Sequence, residues 1–248
     1  MNLLIVQASP KKKGGTSRFL ARLLRLFLSG VRKKTVSLGA RQDFQSVLKL
    51  LPSVDAVCIS APLYVDGLPS HVVEFLSAAE EYCKSHHCRF KLYAVCNNGF
   101  VEGKQNLPAL RMLQAWCEKT GVSWGGGIGI GGGVMLRVLG IVYPILVGVI
   151  LLQMALSCFS GGAVTGELWS ALAVQICTWL FLNSGALYCL ARLSFVVRRG
   201  RISPNRFTRV MVPAFVFVPV ADVFMALSAL FHGRFIFTLL KQDKWRKD

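Results

Sequence analysis

The chain has 248 residues with 29 Lys/Arg against 12 Asp/Glu, a net charge of +17, and 53% of its residues are apolar. The length suits one or two domains, and the apolar share is high for a water-soluble protein. A positive balance points to nucleic acid or to an anionic membrane surface. No nucleic-acid motif accompanies the charge, so nucleic acid is set aside, and the long uncharged runs of the second half favour the membrane.

Met1 leads at once into a short apolar stretch and then lysines, the reverse of the order in a secretory signal, so the N-terminal part is expected to stay in the cytosol. The eight cysteines form no C-x-x-C pair, and three of them (Cys158, Cys177 and Cys189) stand in apolar runs. They read as reduced small hydrophobes.

Leu3-Leu-Ile-Val6 is a continuous apolar run, as in a strand buried on both faces of a parallel sheet. Ser9 to Ser17 then supplies one proline, two glycines, three hydroxyls and three lysines, and helical spacing starts at Arg18. A buried strand opening into such a loop and a helix start makes an anion site. No G-x-x-x-x-G-K-[ST] pattern runs through it, so it is not a Walker A loop.

Phe19, Leu20, Leu23, Leu24, Phe27 and Leu28 predict a helix to about Ser29, with Arg18, Arg22 and Arg25 on one face. Thr35–Leu38 is a short strand candidate, and Gln42–Leu51 a helix ended by Pro52. Asp55–Ser60 predicts a second buried strand, followed by the turn-rich loop 61–69 and a helix over Ser70–Lys84. Lys91–Cys96 is a third strand and runs into Asn97-Asn-Gly-Phe100. A helix over Leu107–Thr120 and a glycine-rich strand over Val122–Ile130 complete the pattern. Strands alternating with helices give a parallel sheet covered on both faces, with ligands outside the carboxyl ends of its strands. Three strand ends carry loops rich in Gly, Ser, Asn and aromatic residues.

These stretches resemble the flavodoxin-like NAD(P)H-dependent FMN reductases over roughly residues 1–133. Ser9-Pro-Lys-Lys-Lys-Gly-Gly-Thr-Ser17 is similar to that family's phosphate loop S-P-R-x-x-G-N-T-S. Ala61-Pro-Leu-Tyr64, with Pro69 following, is similar to S-P-x-Y-x-x-x-x-P. Asn97-Asn-Gly-Phe100, with Glu102 following, is similar to N-N-G-F-x-E. The resemblance implies a five-stranded flavodoxin-like sheet and an FMN, with NAD(P)H as electron donor. Its phosphate would sit on Ser9, Lys11, Gly14, Gly15, Thr16 and Ser17, and its ring between Pro62, Leu63, Tyr64 and Asn97, Asn98, Gly99, Phe100. Four positions depart from the pattern: Lys11 for arginine, Gly15 for asparagine, Ala61 for serine, and Val65 where tryptophan is common. The last helix of the fold is missing, so another part of the chain is expected to cover that face.

Two further patterns read as structure. Gly127, Gly129 and Gly132 fit G-x-G-x-x-G, but no acidic residue follows until Glu167, too far for a dinucleotide site. Cys83, His86, His87 and Cys88 have helical ligand spacing, yet no fourth ligand is evident, and they read as a solvated helix end rather than a metal site.

Val138–Gly166 and Leu168–Ala191 carry no charge except Glu167 between them. Each can supply ~20 residues, about 30 Å of helix, and the short connection makes them a hairpin. A loop with Arg192, Arg198, Arg199, Arg201, Arg206 and Arg209 follows, which the positive-inside rule places in the cytoplasm. Val210–Phe231 is a third apolar run, broken by Pro213, Pro219 and Asp222 and expected to be re-entrant or to lie in the inner leaflet, which keeps the basic tail inside. Asp222 reads either as a functional carboxylate or as an interfacial or capping one.

The expected architecture is an α/β flavodoxin-like, doubly wound domain over 1–136 and an α-helical membrane region over 137–248, with spans near 138–159 and 168–191 and a third segment near 210–231. The implied function is a membrane-anchored FMN-dependent NAD(P)H oxidoreductase in the cell membrane, with its N-terminal domain cytoplasmic. No side chain is assigned as catalytic. The alternative is a flavodoxin-like membrane scaffold or electron carrier without turnover. Membrane lipid, a small-molecule or protein electron acceptor and a second copy in a homodimer are the partners this reading allows. The basic face of the first helix is expected to lie towards anionic lipid.

Overall fold

Four consecutive apolar residues at the start of the chain are all buried, in an interior strand of the sheet. The computed structural model describes residues 1–10, 15–64 and 67–231. Strand β1 (Asn2–Gln7) lies between β2 (Arg32–Ser37) and β3 (Ala56–Pro62), and β4 (Lys91–Asn97) and β5 (Ser123–Gly131) follow outward. Every pairing is parallel. The order β2-β1-β3-β4-β5 is that of a flavodoxin-like sheet, as the resemblance implied.

One face is covered by α2 (Phe44–Leu48), α3 (Ser70–Ser85) and α4 (Leu107–Thr120). Leu4, Val6, Val57 and Ile59 alternate onto this face and meet Val72, Phe75, Leu76, Leu110 and Leu113 in one buried cluster. Leu3, Ile5 and Cys58, of the other parity, point to the opposite face, where α1 (Thr16–Phe27) buries Leu20, Ala21 and Leu24. The helix expected over 42–51 is shorter, because Pro52 sits in a 3-10 turn directly after Leu50.

The sheet has six strands rather than the expected five. Arg206–Arg209 forms β6, parallel to β5, with Ile128 opposite Arg206 and Gly131 opposite Arg209. This segment reads as a basic loop in sequence because it is four residues long and its partner lies about eighty residues upstream, beyond the apolar runs.

Helix α5 (Gly133–Phe159) and helix α6 (Gly166–Arg198) form the hairpin before β6. The C-terminal half of α6 covers the face that lacked a helix: Asn183, Ala186, Cys189, Leu190, Leu193 and Val197 are buried, and α6 packs on α1, β5 and β6. The remainder of the hairpin is exposed and apolar, including Ile145, Val149, Leu152, Leu156, Phe159, Trp169, Val174 and Phe181.

One compact unit runs from Met1 to Met211, so the sequence boundary at 136/137 falls at the start of α5, inside it. A second unit starts at Val212 and contains α7 (Ala214–Phe231), which continues through Pro219 and exposes Asp222. The basic tail lies outside the described residues. Helices α5, α6 and α7 are each long and apolar enough to cross a membrane.

The glycines of β5 serve packing. A Cβ at Gly127 would press on Leu110, and one at Gly129 on the Gly103 carbonyl and Phe207. Gly126 has φ +113° and passes close to the Ser203 carbonyl. The end of α3 is likewise structural: His86 stacks on Tyr82 at 3.9 Å while Cys83 is buried. Among the described residues no group of three His, Cys, Asp or Glu side chains is placed to hold a metal ion.

Candidate functional site

The carboxyl ends of β1, β3, β4 and β5 are tied together by short hydrogen bonds. The Ala8 N–H donates to the Ser60 carbonyl at 2.9 Å, and the Ser60 hydroxyl donates to the Ser17 carbonyl at 2.7 Å, fixing the first turn of α1 to the end of β3. The Leu63 N–H donates to the Asn97 carbonyl at 2.7 Å, and the Asn98 N–H to the Ile130 carbonyl at 3.1 Å. The Gly133 N–H donates to the Asn98 carbonyl at 2.7 Å, and the Thr16 hydroxyl donates to the Gly133 carbonyl at 2.9 Å. Residues more than a hundred positions apart thus meet along one edge.

The start of α1 has open donors. Gly15 is extended at its N-cap position and offers no side-chain cap, so the first-turn N–H groups have no partner inside the helix. A Cβ at Gly15 would sit 3.0 Å from the Ser9 hydroxyl and 4.0 Å from that of Ser17, so the bare backbone lies over both. Ser9 and Ser17 are buried. Lys11 and Gly14 fall outside the described residues.

The ring side is built from two loops. Pro62 ends β3, Leu63 is buried, and Tyr64 and Gly67 exchange backbone hydrogen bonds of 2.9 and 3.1 Å that close a tight turn. Partial burial raises the Tyr64 phenol above its ordinary value. Asn97 and Asn98 are buried, Gly99 is exposed, and Phe100 stands 57% exposed. The Asn98 amide donates to the Glu102 carbonyl at 2.9 Å, which holds the loop in a turn.

Three members of the edge escaped the sequence reading. Gly133 joins α1 to the 97–100 loop through its own peptide, and a Cβ there would meet the Asn98 carbonyl and, at 3.0 Å, the Asn97 amide nitrogen. Asn106 is fully buried and donates to the Gly103 carbonyl at 2.9 Å. Arg209 of β6 pairs with Glu102 at 2.8 Å. Only the run of glycines signalled the first, and nothing local signals the last.

The polar atoms of this edge fit a flavin nucleotide. Ser17 Oγ, Asn97 Oδ1, Asn98 Oδ1 and Asn106 Oδ1 are buried with no hydrogen-bond partner among the described residues. A hydroxyl beside a helix start suits a phosphate, and amide oxygens beside apolar Leu63 suit the polar rim of a flat ring. An open depression of about 470 Å³ lies elsewhere, at the amino edge of the sheet between Met1, Asp55, Lys91 and Gly200. It touches none of these loops, and ligands of such sheets bind at the other edge.

No family model matches the chain, and no curated protein matches it. Solved structures do. An NAD(P)H:quinone oxidoreductase from Methanothermobacter marburgensis is 16% identical, with a TM-score of 0.45 over 53% of this chain and 84% of that one. An NADPH-quinone reductase from P. pentosaceus is 16% identical, with a TM-score of 0.46 over 55% and 88%. An azoreductase from Bacillus anthracis is 10% identical, with a TM-score of 0.45 over 78% and 98%.

Proposed function

We propose that the chain is a membrane-anchored FMN-dependent NAD(P)H oxidoreductase that passes electrons from a nicotinamide cofactor to a further acceptor. The observation that carries this reading is the set of buried oxygens without a partner among the described residues, Ser17 Oγ, Asn97 Oδ1, Asn98 Oδ1 and Asn106 Oδ1, at the carboxyl edge of a flavodoxin-like sheet. Leaving a buried polar atom unpaired costs about 1–3 kcal/mol, and such atoms call for an explanation. A ligand that completes them supplies one.

Ser9 and Ser17 would hold the phosphate with their hydroxyls and Thr16 with its backbone N–H, with the Gly15 backbone allowing close approach and the N-terminus of α1 favouring its charge. Pro62, Leu63 and Tyr64 would line one side of the ring and Asn97 to Phe100 the other, with the asparagine oxygens accepting from N–H groups at its rim. Bound FMN supplies reversible hydride acceptance, so the protein needs no acid or base side chain of its own. The apolar hairpin would anchor the protein, and the arginine-rich stretch 192–209 supports a cytoplasmic sheet by the positive-inside rule.

A second reading, a flavodoxin-like scaffold or carrier without turnover, draws on Thr16, whose hydroxyl is committed to the Gly133 carbonyl. Absorbance of detergent-purified protein separates the readings. The reductase is yellow and bleaches with NADH or NADPH; a carrier is yellow and does not bleach. Protein that neither binds FMN nor quenches its fluorescence when FMN is in excess removes the reductase reading.

A further inference from the structure

We infer that the carboxyl edge of the sheet is a lipid-facing surface, seated on the headgroup layer of an anionic bilayer. The inference rests on the membrane anchoring proposed above and adds which surface of the sheet unit meets the lipid.

The direction of α6 carries it. At one end, the Met211 N–H donates to the Leu182 carbonyl at 2.9 Å, and Gly185 packs against Thr208 and Arg209. Arg209 is level with Gly131, the last residue of β5, so Leu182–Gly185 lies at the carboxyl edge. At the other end, the Tyr93 hydroxyl donates to the Arg201 carbonyl at 2.8 Å and the Ser203 N–H to the Gly125 carbonyl at 2.9 Å, at the amino edge. Helix α6 therefore crosses the whole sheet between Asn183 and Arg198. Everything before Leu182 stands beyond the carboxyl edge. Helix α5 starts at Gly133, at that same edge, and pairs with α6. The apolar hairpin leaves the sheet unit from the side that holds the candidate site.

Length then fixes the distance. Gly166–Leu182 is 17 residues, about 25 Å of helix. The hydrocarbon core is about 30 Å thick. No helix is left over to hold the sheet away from the lipid, so the edge is drawn into the headgroups. Its surface suits that place. Tyr64 and Phe100 stand 42% and 57% exposed there, as aromatic residues of an interfacial belt do. Arg137, on α5, is the last charge before the uncharged run, and Arg209 lies at the end of β6, where anionic headgroups attract basic side chains. The basic face of α1 starts at this edge, but Arg18 and Arg25 reach along β2 to Ser37 and Thr35.

The test uses the full chain with Cys158→Ser and Cys177→Ser, reconstituted in phosphatidylcholine/phosphatidylglycerol vesicles. Nitroxide labels are placed singly at Phe100→Cys and Lys104→Cys, near the carboxyl edge, and at Ser53→Cys, at the amino edge. Flotation with vesicles reports anchoring, and relaxation by oxygen against a water-soluble nickel chelate reports the surroundings of each label. The expected result is flotation of all three, loss of chelate access with gain of oxygen access at 100 and 104, and full chelate access at 53. Chain that floats with equal chelate access at all three sites overturns the inference while leaving the anchoring intact. Chain that does not float overturns both. Labels at 100 and 104 shielded from both relaxants, and freed on dilution into excess lipid, show a second copy on this edge instead of lipid and overturn it as well.

Discussion

At the scale of single residues, the start of α1 separates two neighbouring hydroxyls by what they already touch. Thr16 donates to the Gly133 carbonyl, tying α1 to the start of α5, whereas Ser17 Oγ is buried with no partner among the described residues. Ser17→Ala is therefore expected to leave the stability of the flavin-free protein unchanged or slightly raised. The same change weakens FMN binding by the worth of one charge-assisted hydrogen bond, about 1.5–3 kcal/mol, or roughly ten- to a hundredfold and more. Thr16→Ala is expected to lower stability first. Chemical denaturation without flavin, set beside FMN titration by fluorescence quenching, reads the two apart; equal effects of both changes on both measurements would contradict the assignment. The thiols give a second residue-level expectation. Cys58 is pushed up from 9.0 to about 12 by burial first and by the neighbouring Cys96 second, and Cys96 is pushed to about 12 by burial. Above pH 9 the unfolded chain sheds protons that the folded one keeps. The contribution of these thiols is thus complete below pH 9 and falls as pH rises towards 12, by about 1.4 kcal/mol per pH unit for each. Denaturation midpoints across that alkaline window should decline, and less steeply in Cys58→Ala/Cys96→Ala.

At the scale of elements, what was legible in the sequence is what local pattern encodes. The buried runs 3–6, 56–61 and 92–96 announce β1, β3 and β4, because a strand covered on both faces needs no polar alternation. The loops that follow them read as candidate ligand loops because hydroxyls, glycines and asparagines gather at three strand ends, and the structure brings those ends to one edge. Strand β6 was not legible, since Arg-Phe-Thr-Arg gains its place only by pairing with β5. Nor was the double use of α6, whose buried and exposed halves are both apolar and differ only in what lies beside them. The glycine pattern of β5 was visible as a pattern, but its cause is tertiary: the turn around Gly103 crosses β5 so closely that a Cβ on Gly103 would collide with the Thr208 and Gly129 carbonyls. Gly103→Ala is accordingly expected to destabilise by about 1–3 kcal/mol or more, because backbone on both sides cannot give way. It should also release β6, seen as faster amide exchange over 206–209 than over β1. A neutral Gly103→Ala would mean that this crossing is looser than the packing shows. Arg209→Gln, by contrast, removes a pair that is 46% and 61% exposed, and is expected to change stability by no more than about 1 kcal/mol.

At the scale of the whole molecule, strand pairing decides a topological question that charge alone could only suggest. The stretch 192–209 contains β6 and the Ser203 N–H bond to Gly125, so it lies on the same side of any membrane as the sheet. The hairpin connection around Gly161 and Gly162 lies at the far end of α5 and α6. If the hairpin spans the bilayer, those two places are on opposite sides. By the positive-inside rule the arginines favour the cytoplasmic side for the sheet, which is the orientation proposed. A cysteine at Gly162, in chain otherwise lacking Cys158 and Cys177, is therefore expected to react with a membrane-impermeant maleimide added to intact cells. One at Ser203 is expected to react only after the membrane is opened. Labelling at Ser203 but not Gly162 in intact cells would invert the orientation. Labelling at neither before lysis and at both after it would mean that the hairpin enters the bilayer without crossing. Labelling at both in intact cells would contradict the spanning hairpin, because a hairpin that crosses the membrane cannot bring its tip and its base to the same aqueous face.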